Sequence, residues 1–200
     1  MTSRYRAALA AALISLATPT LAFAHTGHGD AHGFVHGFLH PVGGLDHMLA
    51  MVAVGLLAAT LGGRALWLLP ASFMAVMAVG GMLGVAGIGV PFVETGIAVS
   101  VIAFGLAVAF RLPLPVLAGM ALVGFFAIFH GFAHGAEMPP NTSGLAYAGG
   151  FLLATAMLHG IGIAVGLGVG RLGGTFGTRL AQAGGGAMTL AGLAILTKLI

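Results

Sequence analysis

Six apolar stretches of about twenty residues follow one another from Pro41 to Leu199, broken only by short segments that hold the few charges, Gly-Gly pairs or prolines. That length lets an α-helix cross a hydrocarbon core of ~30 Å. Inside lipid each backbone N–H and C=O must pair within its own segment, so such a chain folds as helices. The expected fold class is therefore an all-α membrane protein with a bundle of about six transmembrane helices, at Pro41–Leu61, Ala65–Gly87, Phe92–Phe110, Leu114–Ala133, Leu145–Val169 and Thr178–Leu199. Composition agrees, since 59% of residues are hydrophobic, 6% are charged and the mean hydropathy is +1.10. A soluble domain carries about a quarter charged residues, so a water-soluble fold is excluded. The sequence pI of 10.2 rests on seven Lys and Arg against four Asp and Glu, scattered singly, which makes no basic patch for nucleic acid. Cysteine is absent, so any metal chemistry falls to His, Asp, Glu or Met.

Residues 1–24 have the three parts of a secretory signal peptide: basic Arg4 and Arg6, the apolar run Ala7 to Ala17, and an Ala22-Phe23-Ala24 cleavage site. The apolar run is too short to span a membrane as a helix. Cleavage is expected to leave His25 as the mature N-terminus. Residues 25–40 then form a His-rich periplasmic segment, and residues 41–200 a six-helix transmembrane domain in a bacterial inner membrane. With the N-terminus outside, alternating spans put Arg64, Arg111, Arg171 and Arg179 on the cytoplasmic side, as the positive-inside rule requires. Lys198 at the C-terminus is the one disagreement. Gly162, Gly166 and Gly170 recur every four residues, as do Gly80 and Gly84, and both series are expected at helix interfaces; the sequence leaves a homo-oligomer open as a further partner.

Polar residues are rare enough to be informative. The apolar run from Met48 to Leu61 spans only about 21 Å as a helix, so Asp46 and His47 are drawn into the outer layer of the membrane. Burying ionisable groups there costs about 2.5–3.5 kcal/mol, and they generally face a bundle interior or a water-filled path. On a continuous helix His40 would share a face with His47 at i, i+7. Near the end of the fourth stretch His130, His134 and Glu137 fall on one face, two imidazoles and a carboxylate suited to Ni, Co or Zn. His159 lies deep in the fifth stretch, beyond the midplane, where a relay would need a ligand. Glu94, at the outer start of the third, reads as a solvated helix end. Ahead of the first span, His32, His36 and His40 recur every four residues, after His25 and His28, as a metal-capturing stripe would. The candidate metal ligands are therefore His36, His40, Asp46, His47, His130, His134, Glu137 and His159. The string His-Gly-Phe-x-His occurs both at His36 to His40 and at His130 to His134.

The segment His40-Pro41-Val42-Gly43-Gly44-Leu45-Asp46-His47, followed by Ala50-Met51, resembles the signature of the HupE/UreJ family of membrane proteins. The helix-four segment and Leu158-His159-Gly160 resemble that family's other polar segments. The resemblance covers essentially the whole mature chain. It implies a secondary permease for Ni²⁺, with Co²⁺ in some members, that supplies metalloenzyme maturation. The metal would be the transported substrate, the lipid bilayer the other partner, and no organic cofactor is expected. Two other readings suit histidines on membrane helices. A b-type cytochrome needs His pairs facing one another at similar depth, and an intramembrane metal-dependent hydrolase would retain a zinc ion and activate water on it.

Overall fold

The structure, a computed structural model, describes residues 30–139 and 143–198. The expected signal peptide, His25 and His28 lie outside the described residues. Seven α-helices follow in order: α1 Asp30–Gly43, α2 Leu45–Leu61, α3 Ala65–Val85, α4 Val93–Ala109, α5 Val116–Ala136, α6 Gly144–Arg171 and α7 Gly174–Leu196. Among the described residues there is no strand.

The expected helix Pro41–Leu61 is instead two helices. The chain leaves α1 at Gly43, passes through an extended Gly44 (φ −100°, ψ 119°), and starts α2 after a bend of 82°. Adjacent glycines hold a helix poorly, and Pro41 has already removed one backbone donor from the last turn of α1. His40 and His47 consequently do not share a helical face. The other five helices begin and end within four residues of the expected bounds. Gly62 and Gly63 turn α2 into α3 at φ 68° and 51°, a region that only glycine enters freely.

Three helices, α3, α5 and α6, are long and apolar enough to cross a membrane, and a fourth span results if α1 and α2 form one broken crossing. Helix α4 is apolar but has 17 residues, while α7 carries Arg179 and Gln182 in its first half. The outer surface is as apolar as the interior: Trp67, Phe92, Leu117 and Leu145 are among many large side chains exposed there. Apolar surface on that scale fits a lipid surround rather than water.

Lipid supplies no hydrophobic drive between helices, so close backbone packing must hold them. Glycines provide it pairwise. Gly131 and Gly135 of α5 lie against the α3 backbone at Met77 and Gly81, while Gly80 and Gly84 of α3 lie against the carbonyls of Ile128 and Phe132. Gly55 of α2 meets Gly162 of α6, Gly105 of α4 meets Gly185 of α7, and Gly37 seats α1 on Tyr147 of α6. The expectation for Gly80, Gly84 and Gly162 thus holds, and Gly166 rests on the Ala59 methyl, but Gly170 faces open space and is no interface residue. The buried core, with Met51, Leu57, Leu69, Phe73, Met77 and Phe104, runs between these pairs. It ends where the N-terminus of α2 meets the C-terminus of α5.

Candidate metal site

Four elements converge at that end. Helix α5 carries His130 and His134 one turn apart and ends at Glu137, its C-cap. The first turn of α2 supplies Asp46 and His47, the bend before it brings α1 with His36 and His40 alongside, and α6 adds Tyr147 and, deeper, His159.

At the exposed edge, His40 Nε2 lies 3.0 Å from Glu137 Oε2, and the ligand atoms of His40, His134 and Glu137 all lie within 4.8 Å of one another. These residues are the group whose spacing could hold an ion with modest contraction. The His134 ring then stands edge-on to both His40 and His47, with centroid separations of 4.7 and 4.2 Å. His47 in turn stands 4.8 Å from His130. The Phe73 ring follows, 5.5 Å from His130 and 5.2 Å from His159. Imidazoles thus succeed one another from the edge into the bundle in the order His40, His134, His47, His130, and the Phe73 ring contacts both the last of these and His159. An apolar cleft of about 620 Å³ between α3, α5 and α6 opens beside His134.

The proton arrangement is partly fixed by partners. Asp46 Oδ1 accepts the His47 backbone N–H at 2.7 Å and the ring Nδ1–H at 2.9 Å, which leaves Nε2 of His47 with its lone pair. That nitrogen is buried and has no hydrogen-bond partner among the described residues; neither do Nδ1 of His130 nor both nitrogens of His134 and of His159. An unpaired buried polar atom costs about 1–3 kcal/mol, and such groups are rare in folded proteins. A succession of them offers lone pairs that a cation or water could take up. On α1, outside the apolar spans, burial lowers the pKa of His40 below its ordinary value, while the Glu137 carboxylate acts in the opposite sense.

The eight sequence-derived residues are therefore not one shell. His130 does not share a single shell with Glu137: it lies a turn deeper and contacts His47, Phe73 and Ser100, whereas His134 and Glu137 meet His40. His36 sits at the exposed edge, 5.8 Å from both His40 and Tyr147. Glu94 is exposed in the first turn of α4, as expected of a helix end. Four contacts escaped the sequence reading: Tyr147, Phe73, Ser100 and Phe151, whose ring lies 4.1 Å from that of His134. Ser100 alone had a signal, as the lone polar side chain after Thr95 in α4.

An all-helical, lipid-facing bundle that gathers buried histidines at one end is the class of protein that fold and site define. The family model described as HupE / UreJ protein matches residues 12–195. The chain is 48% identical over 185 residues to "Protein HupE" of Rhizobium leguminosarum bv. viciae, covering 92% of this chain and 94% of that protein. The chain belongs to the HupE/UreJ family. No solved structure matches it.

Proposed function

We propose that the protein is a secondary permease that carries a divalent transition-metal ion, Ni²⁺ or Co²⁺, across the bacterial inner membrane for metalloenzyme maturation. The observation that carries this reading is the file of buried imidazoles with unpaired nitrogens, leading inward from a His and carboxylate mouth. Borderline divalent ions favour imidazole with carboxylate, and conduction needs partial ligand sets that bind and then release. The ion is collected at His36 and His40, dehydrated among Glu137, His134, His47 and His130, with Asp46 supplying charge, and passed to His159. Six spans with the mature N-terminus in the periplasm keep Arg64, Arg111, Arg171 and Arg179 inside.

Close imidazole packing, at 4.2–4.8 Å between neighbouring rings, leaves no room for a porphyrin between opposed histidines, which weighs against a cytochrome. Uptake of radioactive nickel and cobalt, in competition, by cells producing the protein tests the permease reading directly. Metal-dependent accumulation above that of cells lacking it is expected. No uptake, together with one ion retained through dialysis of the purified protein, would favour the hydrolase instead.

A further inference from the structure

Ser100 is completely buried in the middle of α4. A serine in a buried helix commonly satisfies its hydroxyl on its own backbone, and this one does, donating to the carbonyl of Ile97 at 2.6 Å. Its single proton is thereby used. The 2.9 Å contact between Ser100 Oγ and His130 Nε2 must then run the other way, with Nε2–H donating to the hydroxyl oxygen. A neutral imidazole has one N–H and one lone pair, so the lone pair of His130 sits on Nδ1, the atom left without a partner. His47 is arranged in the opposite sense, its Nδ1–H given to Asp46 and its Nε2 free. The two rings stand 4.8 Å apart and nearly perpendicular, at 87°.

We propose that Ser100 is a positioning residue that holds His130 in the Nε2–H tautomer, so that Nδ1 is the nitrogen offered to the transported ion. The inference rests on the permease reading for the purpose of that lone pair, but not for the tautomer itself. An imidazole in the wrong tautomer presents N–H to a cation and cannot ligate it. Outer partners of this kind typically change metal affinity 10- to 100-fold, roughly, when removed.

Two measurements on the full chain test it. Magic-angle-spinning NMR of ring-¹⁵N-histidine protein in lipid bilayers, with His130 assigned by comparison with His130→Gln, should show Nε2 protonated and hydrogen-bonded and Nδ1 bare. In Ser100→Ala the Nε2–H signal should lose its hydrogen-bond shift or give way to a tautomer mixture. Calorimetric titration with Ni²⁺ should show Ser100→Ala weaker by about tenfold or more, while membrane yield stays at the wild-type level. A wild-type His130 carrying its proton on Nδ1, or an unchanged His130 signal and unchanged nickel affinity in Ser100→Ala, would overturn the proposal. Wild-type protein that binds neither nickel nor cobalt would sink the permease reading and with it the purpose given to the lone pair, whereas the NMR would still report whether Ser100 sets the tautomer.

Discussion

Asp46→Asn isolates charge from shape. His47 Nδ1 lies 2.9 Å from Asp46 Oδ1, and an ion on the opposite nitrogen, Nε2, would lie about 7 Å from that oxygen, allowing roughly 2 Å across the ring and roughly 2 Å for the metal–nitrogen bond. A unit negative charge and a dication at about 7 Å attract by about 5 kcal/mol at an effective dielectric of about 20, and by about 1 kcal/mol in bulk water. Exchanging a charge-assisted hydrogen bond for a neutral one removes about 1 kcal/mol more. The smallest total, about 2 kcal/mol, already weakens binding about 30-fold, and the largest ends it at useful concentrations. Initial rates of nickel uptake against concentration, with membrane amounts matched by immunoblot, give the half-saturation point. A rise of at least about 30-fold is expected. A change of less than about threefold would refute the reasoning, since it is no more than an acidic residue in the first turn of a helix contributes through the dipole.

The remaining predictions concern assembly, ligation, pH and topology. Gly131→Ala places a methyl against the Met77 carbonyl and should cost on the order of 1–3 kcal/mol, seen as a lower Tm in detergent; an unchanged Tm would count against the tight α3–α5 pair. His134→Ala removes the ring that stands between His40 and His47, and uptake should vanish at normal membrane levels, so wild-type rates would remove His134 from the path. Uptake should fall as external pH drops below about 6.5, because protonated imidazole cannot ligate and burial holds His40 neutral to lower pH. A rate that rises on acidification would argue against imidazole ligands. Reporters fused after Arg111 and between α5 and α6 should be cytoplasmic and periplasmic respectively, and the reverse at either point would break the six-span topology.

What the sequence made legible follows from where the information resides. Helix positions from Ala65 onward were readable because apolar length and the Gly and Pro punctuation are local properties. The bend at Gly44 was not, because a signature that reads as one helix can turn wherever two glycines leave the backbone free, and tertiary contacts of Gly37 with Tyr147 decide the direction. Residues of the site were recognisable by type, since histidines and carboxylates are costly in lipid. Their grouping depended on tertiary packing. His130 and His134 are four residues apart, yet α5 meets α2, α3 and α4 at the first and α1, α2 and α6 at the second, so the two imidazoles share His47 but otherwise acquire different partners. Phe73 resembles any other core phenylalanine in the sequence, and only the fold sets it between two histidines.

Depth and charge change together along this file of side chains, and a permease gives that gradient a reason. Side-chain exposure falls from 58% at Glu137 and 23% at both His40 and Asp46 to 11% at His47. His130 and His159 are buried with no carboxylate among their direct partners, while His134, also buried, has Glu137 within reach at the mouth. A dication leaving water needs opposite charge most where it first sheds its hydration, and solvent there keeps the carboxylates ionised without the full cost of burying them. Further in, the same carboxylates would hold the ion too tightly to let it go. Neutral imidazoles offer single lone pairs, strong enough to replace a water and weak enough to be exchanged for the next ring. The Phe73 ring contacts both His130 and His159, so the inner histidine packs against the same side chain as the last of the outer rings.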